Sequence, residues 1–340
     1  MSSAPTTVRV TDRQDIASRL LASSATTSYD PMVEVDWDAP VPEHLFGMTP
    51  EWSTLYGTPL WEEMSLQQQV TLTKHEVSSI MSTGIWFEMI LMQMVVRDMY
   101  GKDASQPHFQ FALTEIADEC RHSIMFARAA ERFGCPAYRP NRTVLELGRL
   151  FKTTATGATA YGGILVAEEI LDVLQRDWMK DERVQPITRT TSKIHVVEEA
   201  RHMRFAREEI VRRAEGLPTR RRAVERAYLA AGAAVITANL VTPQVYAAAG
   251  LDVHRAVAEA KSNKYYQDKL RTSASKLMGF LDDVSLVGGP SCRLYEKVNL
   301  RRDRAVVGPP QPARRRACKR RSARECASWG VRRRGSRKTR

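Results

Sequence analysis

Asp118-Glu119-Cys120-Arg121-His122, followed by Phe126-Ala127-Arg128, returns 80 positions later as Glu198-Glu199-Ala200-Arg201-His202, followed by Phe205-Ala206-Arg207. On an α-helix, residues three apart share a face with Cβ atoms about 5–6 Å apart, so Glu-x-x-His sets a carboxylate oxygen and an imidazole nitrogen side by side. Helix-bundle carboxylate sites for paired metal ions take one such motif from each of two helices and one further Glu from each of two others. That rule demands two more acids at matching places. Glu88 precedes Glu119 by 31 residues, and Glu168 precedes Glu199 by the same 31. Both stand in similar text, Glu88-Met89-Ile90-Leu91 and Glu168-Glu169-Ile170-Leu171. The constant offset selects Glu168 over its neighbour Glu169, a choice that helical periodicity alone leaves open.

The halves differ at one informative place. Position 115 is Glu in the first half and its counterpart is His195 in the second. His195, Glu199 and His202 form one stripe of one helix, which makes His195 a candidate third nitrogen donor. Glu115 is left between two readings, a group behind the ligands or a ligand in one state. Metal-bound histidines commonly donate their other N–H to a carboxylate. Asp118 and Glu198, which precede the chelating Glu residues, are assigned that role, each toward the histidine of the opposite helix. Taken alone, Glu-x-x-His is weak, since a salt-bridged surface helix shows it too. The repeated five-residue text and the equal separations are far stronger. Glu88 and Glu168 also sit in apolar surroundings, where an isolated carboxylate is costly without a metal or a partner.

Around this repeat the pattern is helical and almost free of strand-like alternation. Helices are predicted over about 66–100, 107–133, 144–179, 186–215 and 219–241, with shorter ones after Pro243 and Asp252. A short helix is expected from Asp12 to Ala22, inside an arm punctuated by Pro31, Pro40, Pro42, Pro50 and Pro59. The expected organisation is an arm over 1–60, a helical domain over 61–295 and a basic tail over 296–340. The fold class is all-α, a four-helix bundle with additional helices and a di-metal site in its core.

The net charge of +12 misleads, because residues 301–340 carry sixteen Lys/Arg against Asp303 and Glu325. The rest of the chain is close to neutral, and nothing in it asks for nucleic acid. The tail is expected to be disordered, with nucleic-acid binding disfavoured. No unbroken apolar run of about 18 residues is present, so no membrane partner is expected. The N-terminal residues lack a secretory apolar block. Cys120, Cys135, Cys292, Cys318 and Cys326 form no CxxC pair, and a reduced, cytoplasmic chain is the plain expectation. Cys120 is read as packing, Met89, Met92, Met94 and Met99 as core filler, and His44, His75, His108 and His254 as surface or capping residues.

Four carboxylates and three imidazoles suit iron, or manganese, better than zinc or calcium. The Ser82-to-Glu88 text, the block from Glu115 to Arg128, Val166 to Asp172, and His195 to Arg207 resemble the p-aminobenzoate N-oxygenase (AurF-type) di-iron family. The resemblance covers roughly residues 10–295. It implies a ferritin-like bundle, often dimeric, that uses O2 as co-substrate to oxidise an aryl amine to hydroxylamine and then nitro. It carries the ligand roles onto Glu88, Glu119, His122, Glu168, His195, Glu199 and His202, and it makes His195 a ligand where spacing only suggested one. No flavin or dinucleotide motif is present, so an external electron donor is expected alongside the small-molecule amine. A di-metal C–H hydroxylase or oxidase and a ferritin-like metal-handling protein are the alternative readings.

Overall fold

The computed structural model describes residues 12–302. The chain runs through α1 (Arg13–Thr26), α2 (Pro31–Glu34), α3 (Pro59–Glu63), α4 (Leu66–Met99), α5 (Pro107–Arg132), α6 (Arg142–Thr154), α7 (Gly157–Trp178), α8 (Pro186–Ala214), α9 (Thr219–Ala238), α10 (Gln244–Ala248), α11 (Val253–Ser262), α12 (Lys264–Ser273), α13 (Ser275–Asp283) and α14 (Cys292–Lys297). Among the described residues there is no strand, only an isolated bridge between Phe46 and Val184. The fold is all-α and ferritin-like. Helices α4, α5, α7 and α8 form the bundle: α4 packs chiefly on α5, α7 on α8, and α5 meets α8. Residues 296–302 carry the end of α14 and the buried Leu300, while the rest of the expected basic tail lies outside the described residues.

Local chemistry sets the helix ends. Ser65 accepts the Gln68 backbone N–H, and the Gln68 side chain returns a bond to the Ser65 N–H, a reciprocal cap that starts α4. Helices α5 and α8 both open on proline, whose missing N–H costs nothing in a first turn. The single helix expected over 144–179 is two. The chain breaks at Ala155-Thr156, and Gly157 takes φ +59°, a left-handed conformation that favours glycine. The break is held from both sides. The Arg97 guanidinium donates to the carbonyls of Lys152 and Ala155. The Glu225 carboxylate accepts the Thr159 N–H at 2.9 Å, satisfying a free donor of the first turn of α7.

α4 is long and apolar enough, by length and composition, to cross a membrane. In the structure the apolar side of α4 packs inside the bundle, and Met94 and Met99 fill core space there, whereas Met89 is exposed. The arm is also part of the packing. Gly47 lies so close to α4 that a Cβ there would stand 2.4 Å from Lys74 Cα and 2.5 Å from the Thr73 carbonyl oxygen. Backbone atoms cannot rotate away. Gly47→Ala is therefore expected to lower unfolding free energy by about 1–3 kcal/mol. Gly279, in α13 with no neighbour within 4 Å of an added Cβ, is the contrast: Gly279→Ala is expected to stabilise by up to about 1 kcal/mol through helix propensity. Denaturant titration of both variants measures the difference.

Candidate metal centre

The two Glu-x-x-His motifs lie on α5 and α8, and the packing of those helices brings them face to face. Glu88 comes from α4 and Glu168 from α7, so four helices contribute. Glu88, Glu119, His122, Glu168, His195, Glu199 and His202 are all buried, none more than 1% exposed. His122 Nδ1 lies 3.2 Å from Glu119 Oε2 and 3.3 Å from Glu199 Oε1. His202 Nδ1 lies 3.0 Å from Glu119 Oε1 and 2.9 Å from Glu199 Oε1. Glu119 and Glu199 thus stand between the two histidines. His195 approaches from the side of the other acids, its Nε2 3.8 Å from Glu199, 3.9 Å from Glu168 and 4.0 Å from Glu88.

The outer nitrogens are crossed. His122 Nε2 is 2.8 Å from Glu198 on the opposite helix, and His202 Nε2 is 3.1 Å from Asp118. Each Nε2–H donates outward, which turns each Nδ1 inward. Glu168 faces the cluster, while Glu169 turns to Arg207. Glu115 is fully buried with both oxygens lacking a hydrogen-bond donor, and one of them lies in a group of donor atoms with Glu119 and His202.

Several contacts escaped the sequence reading. Ser123 donates to Glu88 Oε2. The arm supplies the Tyr29 backbone N–H to Glu198 Oε1 at 2.9 Å. Arg121 pairs with Asp118, and Arg201 stands 3.6 Å from Asp118 and 3.8 Å from Glu198. The repeated arginines were the signal for that last contact: both copies of the motif carry one, and both serve the outer carboxylates. Cys120 is exposed, against the expectation of packing, and touches Met92 Sδ at 3.5 Å. His108 is buried rather than at the surface, its Nε2 3.2 Å from Glu209, and His75 is half-buried with Nδ1 2.6 Å from the Tyr138 hydroxyl.

Electrostatics follow from this crowding. Burial pushes the imidazoles of His122 and His202 down, but the surrounding carboxylates prevail and hold both well above the ordinary range. Burial raises Glu199 too, and there the histidines win and keep it well below. Burial takes Glu88 and Glu115 up to about 8 and Glu168 well above its ordinary value. It lowers His195 to about 4.

Do these residues fit two metal ions? Four groups of mutually close donor atoms can each hold one: Glu88, His122 and His195; Glu115, Glu119 and His202; Glu119, His122 and Glu199; Glu168, His195 and Glu199. Glu168 Oε2, Glu199 Oε2 and His195 Nδ1 are buried without a hydrogen-bond partner, a state that costs free energy unless something else binds them. Two divalent cations balance the four Glu carboxylates. The mix of carboxylate and imidazole is that of iron or manganese sites.

Comparison with known proteins gives the same direction. The family model described as P-aminobenzoate N-oxygenase AurF matches residues 10–285. The uncharacterized protein Rv0885 of Mycobacterium tuberculosis (strain H37Rv) and the uncharacterized protein Mb0909 of Mycobacterium bovis are each 24% identical over 210 residues. The match covers 58% of this chain and 61% of each relative's length.

Proposed function

Because the chain belongs to the p-aminobenzoate N-oxygenase family, a family of di-iron oxygenases, we propose that it is an O2-dependent N-oxygenase of an aryl amine, taking the amine to hydroxylamine and nitro. The observation that carries this reading is the convergence of Glu88, Glu119, His122, Glu168, His195, Glu199 and His202 in one fully buried cluster. These seven residues would hold two iron ions, with manganese as the alternative. Bound there, the metal pair supplies the redox chemistry that activates O2.

The chain's own residues set the conditions for that chemistry. Glu119 and Glu199, each close to both motif histidines, would offer carboxylate oxygens to both halves of the site. Asp118 and Glu198 fix the imidazole orientation and tautomer by accepting the outward N–H. Burial works against ionisation of these two acids, but His202 at Asp118 and His122 at Glu198 outweigh it and keep both below the ordinary carboxylate range, with Arg121 adding to the effect at Asp118 and the Tyr29 N–H at Glu198. Ser123 orients Glu88 by its hydroxyl hydrogen bond. Burial keeps bulk water off the donor atoms, which strengthens every charge interaction among them. Electrons come from an external donor, since no flavin- or dinucleotide-binding motif is present in the sequence. By family resemblance the working form is a homodimer.

Anaerobic loading with Fe(II), then O2 exposure, tests the reading. Mössbauer spectra should show a coupled iron pair, and aryl amines screened by mass spectrometry should gain oxygen at nitrogen. Bound iron with oxygen incorporated only at carbon would replace N-oxygenation by C–H hydroxylation. Multimeric cages that accumulate iron would replace it by storage. Glu198→Gln and Asp118→Asn are expected to weaken metal binding about 10–100-fold, read by competition with a chromogenic chelator.

A further inference from the structure

Tyr161 is a large, buried, polar side chain near this cluster that takes no part in it. It lies on α7 seven residues before Glu168, two helical turns away on the same face and roughly 10 Å along the axis. The ring is 2% exposed. Its hydroxyl donates to Asp98 Oδ2 at 3.0 Å. Asp98 is only part-buried, its side chain 26% exposed, and it is held by Lys102 at 3.1 Å and by Arg213. Both residues line a cleft of about 240 Å3 between α4 and α7, together with Arg97, Thr156 and Gly157. On the inner side, rings are in contact all the way to the cluster. Tyr161 meets Phe205 at 6.0 Å, Phe205 meets Phe111 at 5.0 Å, and Phe111 meets His202 at 6.4 Å between centroids.

We propose that Tyr161, with Asp98 as its proton acceptor, is a redox-active residue that discharges the metal pair when O2 is activated without substrate. This rests on the functional reading above. Tyr161 gives one electron inward to the oxidised metal pair, and its O–H bond breaks as the proton passes to Asp98 Oδ2. A neutral phenoxyl radical remains. A thiol reaching the cleft then supplies one electron, releasing its own proton to solvent and becoming a thiyl radical that pairs with a second to form a disulfide, while the proton held on Asp98 returns to the phenoxyl oxygen. The coupling of proton and electron is dictated by the surroundings. The Arg213 guanidinium lies over the Tyr161 ring, 4.9 Å from its centroid, so a cationic radical is repelled and oxidation must expel the proton. Burial, then Asp98 and Glu209, keep the phenol well above its ordinary ionisation range, so it enters the step as a neutral donor. The part-exposed Asp98 is where that proton can be exchanged with solvent.

The test uses the full chain loaded with Fe(II) and mixed with O2 in the absence of amine, followed by stopped-flow absorbance and freeze-quench EPR. The wild type should give an organic radical signal whose hyperfine structure narrows when ring-deuterated tyrosine is incorporated. Tyr161→Phe removes only the hydroxyl and should lose the signal, and Asp98→Asn should lose most of it. Tyr246→Phe, at another buried tyrosine whose hydroxyl bonds to Thr54, should keep it. Iron content is measured in each sample. Two irons bound but no radical in the wild type, or a radical that survives Tyr161→Phe, overturns the proposal alone. Failure of the wild type to bind an iron pair overturns the functional reading and this proposal with it.

Discussion

Replacing Glu119 or His202 by alanine is expected to abolish metal-dependent oxidation and to leave at most one metal ion per chain. The reason is the position of Glu119. Its Oε2 is 3.2 Å from His122 Nδ1 and its Oε1 is 3.0 Å from His202 Nδ1. One carboxylate therefore serves both motif histidines, and truncating it removes a donor from each half of the site. Loss of His202 has a second cost. Its Nε2 holds Asp118, and its Nδ1 faces both Glu119 and Glu199. Without that imidazole, three buried carboxylates face one another with one cation fewer among them. Cys120→Ala, one residue from Glu119 but exposed, is the control and should retain full metal content and turnover. Inductively coupled plasma analysis gives the stoichiometry, Mössbauer spectroscopy the coupling, and O2 consumption the activity. Unchanged turnover in either variant would remove Glu119 or His202 from the ligand set.

The bundle was legible because its signals are local and repeated. Proline at the starts of α5 and α8, and helical periodicity from Leu66 onward, locate three of the four core helices within a few residues. The fourth, α7, has its start blurred. Gly157, Gly162 and Gly163 fit a helix or a break equally well in sequence, and what decides is tertiary: Arg97 and Glu225 cap the ends that the break exposes. The cluster was legible for a different reason. A duplicated motif carries its own internal check, so the offset between Glu119 and Glu199 points to Glu168, and the structure turns Glu169 outward to Arg207. Contacts made by the arm were invisible, because a backbone N–H such as that of Tyr29 has no sequence signature. The same holds for His108, whose burial against Glu209 depends on how α5 lies on α8, not on any neighbour in the chain.

Chelating the metal should destabilise the protein and make its stability fall as pH rises between about 6.5 and 8. In the metal-free chain, Glu88 and Glu115 have folded values of about 8 against an ordinary 4.5. Between those values the folded state binds a proton that the unfolded chain does not. The stability these protons contribute is complete below 4.5 and is lost as pH rises through 8. Glu168 acts in the same sense. His195, lowered to about 4 from 6.5, works oppositely, since the unfolded chain binds its proton more readily, but that effect ends at 6.5. Above 6.5 the carboxylate losses are joined by those of His122 and His202, whose folded values the surrounding carboxylates hold well above 6.5, so all act in the same sense, on the order of 1 kcal/mol per pH unit for each titrating group. Bound metal reverses the pattern. It requires deprotonated carboxylates, so acid now competes with the metal and the loaded protein should resist alkaline conditions instead. At free metal 1,000-fold above its Kd, binding adds about 4 kcal/mol, which for a chain of this size raises Tm by on the order of 10 °C. Thermal melts of chelated and reloaded protein across this pH window measure both effects. Coincident curves would mean that the buried Glu and His residues are balanced by one another alone, as an ion-pair network without a metal.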